Sequence, residues 1–240
     1  MVHLLVKEFN SFLNSLIAYV VMGVFLIGVG LLTWVFPETS VLDYGFADLD
    51  SLFSFGPYVL MFLAPAITMR SFAEEKRTGT LELLVTKPLT DWNIVLGKFL
   101  ASFLLIVFAL IPTLVYYYSV SSLGNPVGNI DSAGVAGSYI GLVLLGCVFC
   151  AVGIFVSSFS PNQIVSFILS AFLCYILFYG FSSLAGLWAD YAFEVQQAGL
   201  LFHYESLSKG LIDSRNVIYF LSVIFLLLLS TKLILGSRRW

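Results

Sequence analysis

The chain has 240 residues, of which 60% are hydrophobic and only 10% charged, with a mean hydropathy of +0.99. Soluble domains carry about 25% charged residues, so this composition excludes a water-covered globule. With no basic patch beside an aromatic platform it also excludes a nucleic-acid binder, and the net charge of −3 matters less than where the charges sit.

The first 16 residues place Leu5, Phe9, Phe12, Leu13 and Leu16 at helical spacing, with Lys7, Glu8, Asn10, Ser11 and Asn14 on the other side. This predicts a leader helix lying on the membrane surface over 1–14, or alternatively a plain extension of the first span. "MVHLLVKEF" shows no cleavable signal pattern. A span needs about 20 apolar residues; the uncharged runs predict spans over 15–36 and 52–69, and the run from residue 99 to 130 a third, placed over 94–118. Pro57 is read as the start of the second span and Pro65 as a kink; the third ends near Tyr116, Tyr117 and Tyr118. Residues 132–189 carry no charge, yet one helix of that length would be about 87 Å long at 1.5 Å per residue. The run must fold back, and "SSFSPNQ" at 157–163 is turn chemistry. Spans over 135–156 and 164–188 follow, then a helical segment over 189–216 outside the membrane and a last span over 217–235. The reading is one transmembrane domain, 1–240.

Lysine and arginine orient it. With the N-terminus in the cytoplasm, Lys7, Arg70, Lys76, Arg77, Lys87, Lys98, Lys232, Arg238 and Arg239 lie inside and only Lys209 and Arg215 outside, the bias that sets membrane topology. Both termini are then cytoplasmic. Trp34, Trp92 and Trp188 fall at span ends, where aromatic belts form.

Between the second and third spans, Arg70, Glu74, Glu75, Lys76, Arg77, Glu82, Lys87, Asp91 and Lys98 gather in one stretch. "RSFAEEKR" is helical in propensity, with Arg70 and Glu74 spaced to pair, and Gly79 interrupts it. Thr80 caps a second short helix, with Glu82 in its first turn and Lys87 in its last. Pro88 ends that helix and Thr90 caps the next. Leu81, Leu84 and Val85 share one side of it, which a merely solvated loop does not require. The 70–91 region is therefore read as a docking element.

What is missing also bears on function. No ionisable residue stands in the middle of a span, which disfavours an ion-coupled carrier. No H-E-x-x-H is present, and Gly97-Lys98 is followed by Phe99, so there is no nucleotide-binding loop. The expectation is a non-enzyme that binds no cofactor. Cys147 and Cys150 spell C-V-F-C, but without a nearby His, Asp or Glu they read as packing residues and not as a metal or redox pair. His203 reads as a hydrogen-bonded structural residue more readily than as a ligand, and no metal is assigned.

"EEKRTGTLELLVTKPLT", between spans 2 and 3 of a six-span chain with an amphipathic leader, resembles the coupling-helix region of type-2 (ABC-2) transporter permeases. The match falls on Glu74, Glu75, Gly79, Thr80, Leu81, Glu82, Leu84 and Pro88, and the topology agrees over the whole chain. A second stretch, 199–225, is similar to the segment before the last span in the gliding-motility-associated ABC permeases of Bacteroidetes and in related copper-processing and export permeases, through His203, Tyr204, Leu207, Lys209, Gly210 and Asp213. The resemblance implies an all-α integral membrane fold of the ABC-2, type V exporter-like kind: six transmembrane helices, an N-terminal interfacial helix and a cytoplasmic coupling helix. It implies that Arg70, Glu74, Glu75, Gly79, Thr80, Leu81, Glu82, Leu84 and Pro88 rest on an ATPase subunit, while His203, Lys209, Gly210 and Asp213 form an extracytoplasmic motif of open role.

The partners implied are two copies of an ABC ATP-binding subunit, a second permease subunit (itself or a relative), membrane lipid and an envelope or periplasmic protein; ATP is bound by the partner. The location implied is the bacterial inner membrane. The function expected is a permease subunit coupling ATP hydrolysis to export or to mechanical work in the envelope, as in gliding motility. A secondary transporter and a non-transporting scaffold are the alternatives.

Overall fold

The computed structural model describes residues 1–42, 46–85, 90–187, 191–211 and 213–237. Among them, six helices are long and apolar enough to cross a membrane, and the described regular structure is helical throughout. The leader is α1 (Val2–Leu13), followed by α2 (Leu16–Trp34) and α3 (Asp50–Thr68). Two short helices, α4 (Ala73–Thr78) and α5 (Thr80–Val85), separate α3 from α6 (Asp91–Leu110), which continues through a tight turn at Pro112 into α7 (Leu114–Leu123). Then come α8 (Ser132–Ser157) and α9 (Gln163–Tyr175), the latter running through a π-helical turn (Ile176–Gly180) into α10 (Phe181–Ala185). Short helices α11 (Ala192–Gln197) and α12 (Leu200–Ser208) precede α13 (Ser214–Gly236).

Helix α8 is the axis of the bundle. It packs on α3, α6, α9, α12 and α13, and its second half, from Leu145 to Ile154, is buried on every side. Helices without charge cannot use water to drive their association in a bilayer; they depend on close packing, which small residues permit. Gly153 shows how close: a Cβ there would stand 1.8 Å from Thr68 Oγ1, so α3 and α8 touch backbone to side chain at that level. In contrast, α2, α9 and α13 turn Val20, Val24, Ile27, Ile168, Phe172 and Phe225 outward, the lipid-facing habit of a membrane bundle.

The ends of the helices follow local chemistry. Asn162 Oδ1 accepts from the backbone N–H of Ile164 at 2.9 Å and so starts α9, in the 157–163 break expected from the sequence. Thr90 Oγ1 accepts from Asn93 N–H to start α6, and Asp213 Oδ1 accepts from Arg215 N–H to start α13. Three features differ from the expectations. Pro57 does not begin the second span but sits within α3, which starts at Asp50. The third span continues past Tyr118 to Leu123. Finally, α1 turns Leu4 into the core, against Gly97 of α6, while Leu16 is exposed. Phe9, Phe12 and Leu13 of the expected stripe are packed against the core, so the leader docks through that stripe with Leu4 added and Leu16 left out. Asp43, Trp188, Asp190, Arg238 and Arg239 lie outside the described residues.

Proline in α3 has a tertiary consequence. Pro57 has no N–H to give to the carbonyl of Phe53, four residues earlier. That orphan carbonyl accepts instead from Tyr204 Oη of α12 at 2.6 Å. Burial pushes the Tyr204 phenol well above its ordinary range, which keeps it a donor. The missing backbone bond of one span is the anchor point of α12.

Candidate functional site: the α4 node

The turn after α3 brings Arg70, Ser71 and Phe72 against the start of α6. There Lys98, two turns into α6, has a side chain only 1% exposed. A lysine ammonium has three protons to donate, and each finds an oxygen: Glu75 Oε1 at 2.8 Å, Glu8 Oε1 at 3.2 Å and the Ser71 carbonyl at 2.6 Å. The Phe72 ring lies beneath it, 5.1 Å from centroid to Nζ. One buried cation therefore holds α1, α4 and α6 together. Attraction in such a low-dielectric place far exceeds that of a surface pair, and the compensating hydrogen bonds are what let the charge remain there.

A second tie comes from α8. Ser157, its last residue, accepts from the backbone N–H of both Phe72 and Ala73 at 3.0 Å and donates to the Met69 carbonyl at 3.3 Å. A hydroxyl has two lone pairs and one proton, and here all are used to cap α4 from another helix. A third tie is Arg70 Nη1, which donates to Ser15 Oγ at the head of α2. Arg70 does not pair with Glu74, as their spacing had suggested; no such ion pair is found among the described residues. A cavity of about 240 Å³ opens beside the node, lined by Lys7, Glu8, Arg70, Glu74, Glu75 and Lys98. Arg70 Nε and Glu75 Oε2 are buried without a protein partner, and this cavity is large and polar enough for water to reach both.

Beyond the node the segment turns outward. Gly79 closes α4 with φ +70°, its N–H donating to the Lys76 carbonyl. A left-handed residue at this position is the usual glycine stop, and it reverses the chain into α5. Arg77, Thr78, Gly79, Thr80 and Glu82 are exposed, whereas Leu81 is buried in the main core. The Thr80 hydroxyl lies 2.9 Å from that of Thr78. The expected docking set is thus split. Glu75 and Leu81 turn inward, Arg70 and Glu74 are half-buried, and Gly79, Thr80 and Glu82 face out; the Leu84 and Val85 side chains and Pro88 lie outside the described residues.

Sequence reasoning did not select Lys98, Glu8 or Ser157 for this site. The signal for Lys98 was a lone charge two turns inside an apolar helix, where only a partner makes it tolerable. Nothing local marks Ser157.

At the far end of the bundle, His203 is held on three sides. Its Nδ1 is 2.7 Å from Asn216 Oδ1, its Nε2 2.9 Å from the Gln197 carbonyl, and its ring stacks on Tyr219 at 3.9 Å. These contacts join α11, α12 and α13. Gly210 lies against Gly134 of α8, Asp213 starts α13, and Lys209 is exposed. The motif in this segment is, on its contacts, a clasp between helices. Cys147, Cys150 and Cys174 are free and buried.

Six apolar helices, packed about the glycine-bearing α8 as one of their number, with a short helical segment pinned between the second and third spans, define a multi-pass membrane protein. Residues 3–212 match the family model described as ABC-2 family transporter protein, and the chain belongs to that family. It is a transmembrane permease subunit of the ABC-2 kind. A search of curated proteins returns no match.

Proposed function

We propose that this permease is driven by a separate ABC ATPase that seats on the outward face of α4 and α5, and that the node at Lys98 passes the resulting motion to the spans. The observation that carries the reading is the three-way bond of Lys98. A push on α4 acts on Glu75, and through Lys98 it reaches α6 and α1, with Ser157 engaging α8 in parallel. Such a segment cannot move as an isolated loop. In this reading the node faces the cytoplasm, as the positive-inside count favours, both termini are cytoplasmic, and the membrane is the bacterial inner membrane. The complete machine pairs two ATPase subunits with two permease subunits, this chain twice or with a relative, and uses ATP for export or for mechanical work on an envelope partner. The likeness of 199–225 to both gliding-motility and related export permeases fits either branch.

The test is pull-down of the cognate ATPase by equal amounts of monodisperse permease. Glu82→Lys combined with Thr80→Lys places two cations on the exposed face and is expected to cut recovery at least about tenfold, the equivalent of about 1.4 kcal/mol. Glu205→Lys, at the opposite end, leaves recovery unchanged. Undiminished recovery with the first variant would remove α4–α5 as the seat.

A further inference from the structure

At the end of the bundle away from the node, a cavity of about 520 Å³ opens between α3, the π-helical turn and α12. Ligand pockets are typically about 300–1,000 Å³, mostly apolar, with a few polar groups that set orientation. This one has walls of Phe53, Tyr58, Phe178, Tyr179 and Tyr204. The rings are ordered: Tyr58 meets Phe178 edge-on at 5.8 Å, and Phe178 lies 6.1 Å from Tyr204. Asp50, Glu205 and Lys209 also line it, two acids against one base. Among the described residues neither Asp50 nor Glu205 is in an ion pair.

Two physical tendencies point the same way. Aromatic faces are electron-rich and attract cations, more so when water is excluded, and the unpaired carboxylates add a negative field. An anion meets repulsion from both. The apolar walls favour a ligand with a hydrophobic body, and the exposed flanks of Tyr58 and Tyr179 leave a path from the lipid-facing surface. The wall that carries Phe178 and Tyr179 is the π-helical turn itself, a rare distortion that is frequent at functional sites.

We propose that this cavity binds a lipophilic organic cation, an apolar body carrying one positive charge. The assignment goes beyond the permease reading and does not need it, because binding is a property of this chain alone. The same chemistry is offered by a free amphiphilic amine and by the ammonium headgroup of a phospholipid.

The experiment is equilibrium binding of tetraphenylphosphonium to the purified full chain in nanodiscs, with empty nanodiscs subtracted. Tetraphenylborate, of the same shape and opposite charge, is the control. Saturable binding of the cation at one site, at least about tenfold tighter than the anion (about 1.4 kcal/mol), is expected. Glu205→Gln with Asp50→Asn, both exposed and so harmless to folding, should weaken the cation about tenfold or more, and Tyr58→Leu should weaken it independently. Nanodiscs of phosphatidylglycerol alone, compared with discs that contain phosphatidylethanolamine, separate the two sources. Competition by phosphatidylethanolamine identifies a lipid headgroup, and its absence a free cation. Equal binding of cation and anion, or binding untouched by the acidic substitutions, overturns the proposal, as does absence of binding because a second copy covers the cavity. None of these results alters ATPase recovery in the pull-down, so the two readings fail separately.

Discussion

Lys98 and Glu75 meet at 2.8 Å across the whole inter-span segment, 23 residues apart in the chain. The contact turns a charged loop into part of the helical framework. Removing one partner of a buried pair leaves the other uncompensated and costs about 3–5 kcal/mol. Lys98→Met should therefore lower the thermal midpoint of the permease in micelles markedly. Lys98→Met with Glu75→Gln should recover part of the loss, because fewer charges are then stranded. Strict additivity of the two substitutions would show that the pair is not coupled.

Ser157→Ala removes the side-chain acceptor that two buried amides, those of Phe72 and Ala73, share. Stranding buried donors costs about 1–3 kcal/mol. The local signature is faster hydrogen exchange at amides 72 and 73 while the middle of α8 stays protected. Unchanged exchange there would mean that α4 does not depend on α8.

Gly153→Ala forces a methyl group into Thr68. Overpacking costs about 1–3 kcal/mol, and here the clash is with a side chain fixed by its own bond to the Ala64 carbonyl. Yield of monodisperse protein should drop, and Gly153→Ala with Thr68→Ala should recover part of it. A Gly153→Ala protein as stable as its parent would contradict the close α3–α8 approach.

Much of the fold was legible in the sequence for a simple reason: a bilayer demands long uncharged stretches, and a 26-residue helix such as α8 or the Asn162 turn is written in contiguous residues. The site was legible only as a segment. Periodicity gave α4 and α5 a face, but which side chains look inward depends on what α6 and α8 place against them. Glu75 and Leu81 thus read as surface residues, and Lys98 as one more loop charge. The Tyr204 bond was equally hidden: Pro57 announces that the Phe53 carbonyl is orphaned, yet nothing nearby says that a tyrosine 151 residues away will fill it.

That bond yields a further prediction. Tyr204→Phe leaves a buried carbonyl unpaired, at about 1–3 kcal/mol. Pro57→Ala restores an N–H that can reach the same carbonyl within α3. In the Pro57→Ala background, Tyr204→Phe should therefore cost less than about 1 kcal/mol, read from thermal midpoints of the four proteins. An equal cost in both backgrounds would separate the tyrosine from the proline.

Cysteine accessibility gives the orientation. Asp48→Cys and Glu205→Cys should react with an impermeant maleimide only from outside intact cells, and Thr78→Cys only after the inner face is exposed. Reaction of Thr78→Cys from outside would invert the topology and remove the ATPase from α4–α5.

The central claim is that load on α4 reaches α6 through Glu75 and Lys98. Ser102 lies one turn beyond Lys98, is buried, and lines the same cavity. In a background where Cys147, Cys150 and Cys174 are replaced by Ala, a Ser102→Cys permease is assembled with its ATPase in nanodiscs. Its alkylation rate is then measured without nucleotide and with ATP trapped by vanadate. The account predicts a clear ATP-dependent change in that rate, and predicts that Glu75→Gln abolishes the change while the ATPase remains bound. An identical ATP-dependent change in the Glu75→Gln complex would contradict it.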